Sequence, residues 1–142
     1  MKKEILPAVA AIIFNEQREV LLQRRKDTHK WFLISGHVEF GETVEEAMLR
    51  EIREETNTQA SIVRMIGVYS LPEFQTYRYD DRMVHYILTY FEAKLNTPIP
   101  TGYRNSETDA LSFFSTDNLP ANLDQMNPNW LRDALTEETY LR

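Results

Sequence analysis

The chain has 142 residues and a formal net charge of −6; 42% of its residues are hydrophobic, 27% are charged and none is cysteine. We expect a single domain over residues 1–142, located in the cytoplasm, because this length supports one core and no apolar run approaches the ~20 residues that a membrane span needs. The lack of cysteine excludes disulfide frameworks and thiolate metal sites, and the lack of a basic patch argues against a nucleic-acid partner.

The strands are predicted from apolar segments bounded by turn residues. Pro7–Phe14 and Glu19–Arg24 are joined by a short polar turn, which predicts a buried β-hairpin. Ala60–Leu71 and Met83–Leu95 are rich in Ile, Val, Tyr and Phe and predict two long strands. Leu111–Phe114 predicts one more short strand.

Two helices are predicted, and the first has the clearer signals. Thr43 can cap a helix over Thr43–Thr56, Glu46 completes a capping box, and Asn57 suits a left-handed C-cap. The second, Pro128–Leu141, begins with proline, which favours the first position of a helix. We expect this second helix to close the fold.

The first predicted helix is amphipathic at about 100° per residue. One arc carries the residues that should pack on the sheet: Val44, Met48, Leu49, Ile52 and Thr56. Glu51, Glu54 and Glu55, here called the acidic cluster, lie at the edge of that arc, because positions three and four apart are neighbours on a helix surface. Three carboxylates are therefore predicted to meet beside the core.

The acidic cluster is typical of a cation site. Residues 36–58 contain seven glutamates and two arginines, so they carry −5 of the net charge. Acidic residues in the last turns of a helix oppose its dipole and repel one another, and a bound cation would offset this repulsion. Oxygen donors favour magnesium, with manganese as a substitute. The alternative is a solvated acidic face held by salt bridges with Arg50.

Two glycines precede the first helix. Gly36 and Gly41 flank a predicted turn, where a glycine lets the backbone approach a metal ion or a phosphate closely. Each could equally be an ordinary turn residue.

The order and spacing of these residues resemble the signature of the Nudix hydrolases. Gly36 is followed after five residues by Glu42, and after seven more by the run Arg-Glu-Ile-Arg-Glu-Glu at positions 50–55. Two positions depart from the family pattern, because Asn57 replaces a glycine and Thr58 replaces an apolar residue.

The resemblance implies an α/β/α sandwich with a mixed β-sheet, in which the first helix and its preceding loop form a metal site. It implies that Glu51, Glu54 and Glu55 bind magnesium ions, with the Gly36 carbonyl as a further ligand. Arg50 would orient one of these glutamates.

The resemblance also implies supporting and catalytic roles. Glu42, with Gly41 beside it, would support the loop and Arg50. Glu107 resembles a downstream glutamate that some members use as an extra ligand or base, and a surface loop residue is the alternative. Glu51 is the first choice for the general base and Glu107 the second. The catalytic group predicted in this way consists of Glu51, Glu54, Arg50 and Glu107.

The implied reaction is magnesium-dependent hydrolysis of the pyrophosphate linkage in a nucleoside diphosphate joined to another moiety, with ADP-ribose or a sugar nucleotide favoured. The alternatives are a nucleoside triphosphate pyrophosphohydrolase of the house-cleaning type and a non-catalytic Nudix-fold nucleotide sensor. A plain acidic interaction domain is a third interpretation and predicts no specific cation. A two-fold homodimer is the default oligomeric state.

Substrate-binding residues are predicted from side-chain chemistry alone. Arg24 and Arg25 could bind phosphates from a polar loop. Phe74, Tyr77 and Tyr79, on the link between the two long strands, could stack on a base. Solvation of the arginines and rim packing of the aromatic rings are the alternatives.

Overall fold

The computed structural model describes all 142 residues. Its strands are β1 Lys2–Ile13, β2 Val20–Arg25, β3 Trp31–Phe32, β4 Ile34–His37, β5 Ala60–Tyr69, β6 Thr76–Arg78, β7 Arg82–Leu95, β8 Thr108–Phe114 and β9 Tyr140–Leu141. Its helices are α1 Val44–Thr56, α2 Pro72–Gln75 and α3 Trp130–Ala134. The three strands predicted after the first helix are confirmed as β5, β7 and β8. None of the helices combines the length and the hydrophobicity of a membrane crossing.

The strands form two sheets. The larger has six strands in the order β4-β1-β7-β5-β9, with β6 paired to β7. It is mixed, because β1 runs parallel to β7 and β5 parallel to β9, whereas the other pairs are antiparallel. The smaller sheet is antiparallel, in the order β3-β2-β8.

The predicted hairpin forms only at its turn. Phe14 bridges Val20, but β1 and β2 then enter different sheets, where β1 pairs with β7 and β2 with β8. Much of both strands is apolar because both of their faces are buried, and hydrophobic periodicity carries no information about which strand is the partner. The prediction of a hairpin is therefore wrong beyond the turn.

The main sheet lies between helices, which confirms the predicted α/β/α arrangement. Alternate residues of β1 face opposite sides: Val9 packs in a cluster with Met48 of α1, whereas Ala10 packs in a cluster with Trp130 of α3. Burial of a side chain such as Met48 contributes about 1.5–3 kcal/mol. The apolar face of α1 therefore fixes this helix, and the carboxylates at its edge, against the sheet.

Both ends of α1 form as predicted. Thr43 Oγ1 accepts from Glu46 N–H at 3.1 Å, and Glu46 Oε1 accepts from Thr43 N–H at 3.0 Å, which completes the capping box. Asn57 ends the helix in the left-handed region with φ of 54°. Val44 is 40% exposed, so the buried face begins at Ala47 rather than in the first turn.

The predicted closing helix over Pro128–Leu141 is wrong. Only Trp130–Ala134 is helical, and Tyr140–Leu141 instead forms β9 beside β5. The guanidinium of Arg64 donates to four backbone carbonyls of the segment 133–138, which include the last carbonyls of α3. This long-range contact satisfies the carbonyls that a longer helix would have used, and the local pattern gives no sign of it.

The cap at Asn57 gives a stability prediction. Replacement by alanine should lower the free energy of unfolding by about 1 kcal/mol, because a β-carbon disfavours the left-handed conformation and alanine lacks the amide that tolerates it. Replacement by glycine should preserve or raise stability. Urea denaturation of the two variants beside the parent protein checks this, and equal losses in both variants would contradict it.

Candidate active site

A cleft of about 710 Å³ opens beside α1 and β4. Part of its lining is acidic: Glu39, Glu51, Glu55 and Glu107. Another part is aromatic: Phe32, Tyr77, Tyr79 and Tyr86. The two kinds of surface come from distant segments of the sequence, which the sheet order brings together around one space. Carboxylates can bind a cation and aromatic rings can bind a planar group.

Arg50 is the centre of the ion-pair network at this cleft. Its Nε and Nη2 bind the two carboxylate oxygens of Glu42 at 2.7 and 3.0 Å, and its Nη1 lies 2.9 Å from Glu51 Oε1 and 3.4 Å from the Glu54 carboxylate. Nη2 also donates to the His37 carbonyl at 3.0 Å. The bonds to Glu42 and Glu51 raise the pKa of Arg50, and the guanidinium lowers the pKa of Glu42. Arg50 thus joins α1 to the loop before it.

Glu51 is the most strongly perturbed carboxyl of the site. Its side chain is 12% exposed. Burial raises its pKa to about 7, against the opposing hydrogen bond and charge of Arg50, and the charges of Glu54 and Glu55 raise it further. A carboxyl that titrates near neutral pH is suited to accepting a proton, and its ionised form gains from a nearby cation.

Gly36 leaves room for the Glu51 carboxyl. A β-carbon at position 36 would lie 2.1 Å from Cδ of Glu51, far inside van der Waals contact. Only glycine therefore lets this carboxyl lie against the backbone of β4. Gly41 has a different role, because its φ of 87° is left-handed and no atom would crowd a β-carbon there. It serves the turn before α1.

The other two glutamates of the acidic cluster have different surroundings. The Glu54 side chain is 54% exposed and contacts Arg50. Glu55 is 8% exposed, and its Oε2 accepts from Asn105 Nδ2 at 2.9 Å and lies 3.1 Å from Thr108 Oγ1. No three acidic or imidazole side chains converge into a ready-made ligand group. Arg50 and the partners of Glu55 hold the three carboxylates apart.

The donor chemistry of the cleft nevertheless fits a divalent cation. Glu51, Glu55 and Glu107 all line it, and they offer only oxygen atoms, which hard cations such as magnesium prefer. The raised pKa of Glu51 means that its negative charge lacks full compensation in the protein. A cation would supply that compensation.

The predicted substrate residues divide into two groups. The structure brings three of them to the cleft: Arg25, Tyr77 and Tyr79. Arg24 and Phe74 do not line it. Arg24 instead binds Asp109 at 2.8 Å, because neighbouring residues of a strand point to opposite faces. The cleft therefore offers no contact to Arg24 or Phe74, and their predicted role in substrate binding finds no support.

Several polar residues of the cleft have no signal in the sequence: His37, Gln75, Arg78, Tyr86 and Asp124. Some of them bond to one another, since Tyr86 Oη lies 3.3 Å from His37 Nε2 and 3.0 Å from the hydroxyl of Tyr79. They come from separate segments of the chain, so no spacing rule could have grouped them. The same holds for Asn105 and Thr108, which position Glu55.

These features define an α/β/α protein whose amphipathic helix presents carboxylates to a cleft. The sequence model of the family described as NUDIX domain matches residues 4–134. The chain belongs to this family.

Parts of the chain are also similar in sequence to individual proteins. The chain is 48% identical over 64 residues to a putative 8-oxo-dGTP diphosphatase of Bacillus subtilis. This match covers 45% of this chain and 43% of that protein. It is 44% identical over 71 residues to an ADP-ribose pyrophosphatase of Methanocaldococcus jannaschii, covering 47% and 42%. The matches thus span less than half of both relatives.

A solved structure covers nearly the whole chain. The crystal structure of an ADP-ribose pyrophosphatase from Streptococcus suis superposes with a TM-score of 0.73 and 24% identity, covering 96% of this chain and 97% of that one. At this identity the likeness shows the shared fold.

Proposed function

We propose that this chain hydrolyses the pyrophosphate linkage of a nucleoside diphosphate joined to another moiety, with magnesium as cofactor and manganese as a substitute. The observation that carries the proposal is the cleft itself, which unites Glu51, a carboxyl with a pKa of about 7, with an aromatic wall. We favour ADP-ribose or a sugar nucleotide. A nucleoside triphosphate is the second candidate, and the similarity to the putative 8-oxo-dGTP diphosphatase of Bacillus subtilis favours it.

Glu51, Glu54 and Glu55, with the carbonyl of Gly36, would hold the cation. When bound, magnesium would neutralise charge on the phosphate oxygens and lower the pKa of the attacking water. Arg50 would keep Glu51 in place through its Nη1 contact of 2.9 Å to Oε1.

The remaining groups would handle the proton and the substrate. Glu51 is our first candidate to accept the proton of the attacking water, and Glu107 is the second because it lines the same cleft. Arg25 would bind phosphate oxygens, and Tyr77 and Tyr79 would stack on the base. In-line attack of the water oxygen on one phosphorus would form a new P–O bond and break the bond to the bridging oxygen, which leaves with the other phosphate group.

Chromatographic detection of the nucleoside monophosphate product tests this proposal, because cleavage of the pyrophosphate linkage releases no free phosphate. The purified protein is incubated with ADP-ribose, sugar nucleotides and nucleoside triphosphates, each with magnesium and with EDTA. We expect turnover that requires magnesium and is abolished by the chelator. Binding of a nucleotide without metal-dependent turnover would instead support a sensor, and the absence of both would overturn the proposal.

A substitution at Gly36 is expected to lower activity without lowering stability. Gly36→Ala should lower kcat/KM by about 10–100-fold with little change in thermal stability, because the new β-carbon displaces only the end of the Glu51 side chain. Gly67→Ala is the contrasting variant, since its β-carbon would lie 2.2 Å from the backbone oxygen of Tyr140. It should lower stability by about 1–3 kcal/mol and change activity less. Thermal melts and the nucleoside monophosphate assay on both variants check the contrast, and equal changes in stability and activity in the two variants would contradict it.

Three further statements stay predictions from the sequence. They are the location in the cytoplasm, the arrangement as one domain over residues 1–142 and the two-fold homodimer. Size-exclusion chromatography with light scattering tests the last of these.

A further inference from the structure

Residues 122–125, here called the strap, connect the two sheets at the cleft. On the side of the smaller sheet, the Asn122 carbonyl accepts from Trp31 N–H at 3.1 Å, and Asp124 N–H donates to the Trp31 carbonyl at 2.8 Å. The side chain of Asn122 also donates to the His29 carbonyl at 2.6 Å. The strap is therefore anchored at β3 and the turn before it, through both backbone and side chain.

Gln125 extends the strap to the edge of the larger sheet. Its side-chain Nε2 donates to the backbone carbonyls of Phe74 and Thr76, at 2.9 and 3.0 Å. Its own backbone carbonyl accepts the proton of the Tyr77 hydroxyl. One residue of the strap thus binds both the end of α2 and the beginning of β6.

The short strand β6 has few other contacts that fix its position. It contains three residues and pairs with a single strand, β7. Tyr77, the middle residue of β6, lines the cleft. The three hydrogen bonds with Gln125 therefore add substantially to the contacts that hold this tyrosine at the cleft.

We propose that Gln125 is a positioning residue for substrate binding, which holds Tyr77 in the cleft and fixes β6 relative to β3. This inference rests on the proposed function, in which Tyr77 stacks on the base. Gln125 itself does not line the cleft, so it acts through Tyr77 rather than through contact with the substrate. Loss of its contacts lowers the fraction of molecules with Tyr77 in the binding position, and the apparent affinity falls by the same factor.

The carboxylates of the proposed reaction lie outside the strap and β6. Glu51 and Glu55 belong to α1, and their hydrogen bonds go to Arg50, Asn105 and Thr108. Loss of the Gln125 side chain should therefore raise KM and leave kcat unchanged. A purely structural role predicts the opposite result, because loss of folded protein lowers the apparent kcat and leaves KM unchanged.

The first experiment replaces Gln125 by methionine, which has a similar length and no N–H donor. We expect KM for the best substrate of the panel to rise at least about fivefold, because two hydrogen bonds are lost, and kcat to stay within about twofold. Gln125 is exposed, so the melting temperature should change by less than about 3 °C. Gln59→Met is the matched control, because it makes the same change at an exposed residue outside the cleft.

The second experiment tests whether Gln125 acts through Tyr77. In a protein that already carries Tyr77→Ala, Gln125→Met should raise KM by less than about twofold, because the ring that Gln125 positions is absent. A rise as large as in the parent protein would show that Gln125 acts on another part of the cleft, which would overturn the inference. Gln125→Glu, which keeps the shape of glutamine but has no donor, replaces Gln125→Met in both experiments if the methionine variant fails to fold.

The outcomes separate the two proposals. An unchanged KM in Gln125→Met, or a fall in kcat as large as the rise in KM, would overturn this inference and leave the proposed function intact. A wild-type chain that hydrolyses no nucleotide would overturn the proposed function and the inference with it.

Discussion

Glu51→Gln should lower kcat by about 10²–10⁴-fold in the presence of magnesium. Glutamine keeps the shape of the side chain and its contact with Arg50, but it can neither accept a proton nor carry the charge that a cation needs. Formation of nucleoside monophosphate from the best substrate of the panel measures the loss. Glu16→Gln makes the same change at an exposed residue outside the cleft and should leave kcat unchanged. A parental rate in Glu51→Gln would transfer the role of base to Glu107.

The same substitution should have the opposite effect on stability. In the metal-free protein the pKa of Glu51 rises from its ordinary value of 4.5 to about 7, chiefly through burial. A raised pKa stabilises the fold only while the group stays protonated, so this contribution is present below pH 4.5 and is lost as pH rises to 7. At pH 8 the ionised carboxyl costs up to about 3 kcal/mol. Glutamine removes that cost.

Urea denaturation in EDTA tests the stability effect. We expect Glu51→Gln to raise the free energy of unfolding by about 1–3 kcal/mol at pH 8 and to change it little at pH 4. A variant that is less stable than the parent protein at pH 8 would show that Glu51 has a structural role. The combination of lost activity and gained stability is typical of a residue that the fold keeps for its chemistry.

The parts of the fold that the sequence predicts are those with local causes. The ends of α1 follow from Thr43, Glu46 and Asn57, each of which acts on backbone within its own turn. The choice of β7 as the partner of β1 depends on the whole topology, which periodicity does not encode. The short α3 depends on Arg64, a residue about 70 positions away in the chain.

The residues of the site also fall into those that local spacing predicts and those whose placement depends on distant segments. The spacing along one helix predicts that Glu51, Glu54 and Glu55 lie at the rim of the core, and the structure brings Glu51 and Glu55 to the cleft. The separation of Glu55 from the other carboxylates depends on Asn105 and Thr108, which approach from another segment.

An ion pair between the buried carboxylate of Asp133 and the partly exposed guanidinium of Arg142 ties the C-terminal segment to the sheet. Asp133 is fully buried, and its carboxylate accepts from the Tyr69 hydroxyl at 2.5 Å and from Arg142 Nε and Nη2 at 2.9 and 2.8 Å. Burial alone would raise the pKa of Asp133, but the hydrogen bonds from Arg142 and Tyr69 outweigh it and lower the pKa. The backbone carbonyl of Arg142 accepts from the N–H groups of Ser70 and Leu71, so the pair also anchors the link that leads to α2.

Asp133→Ala should therefore lower the free energy of unfolding by about 3–5 kcal/mol, because it leaves Arg142 and the Tyr69 hydroxyl without their partner. Asp117→Ala, at an exposed residue, is the control and should change it by less than about 0.5 kcal/mol. The depressed pKa means that the contribution of Asp133 is present above the unfolded-state value of 3.8 and is lost as pH falls through the folded-state pKa. The difference in the free energy of unfolding between the parent protein and Asp133→Ala should therefore become smaller at acidic pH.

A double-mutant cycle with Arg142→Ala distinguishes the ion pair from a loss of packing. If the carboxylate acts through Arg142, the double variant should be more stable than the sum of the single losses predicts, by about 1 kcal/mol or more, because the buried charge of Asp133 is then no longer left without its partner. Urea denaturation of the four proteins at pH 7 gives this coupling energy. Additive losses would show that Asp133 stabilises the fold through its packing and its bond to Tyr69, with no net contribution from the charge of Arg142.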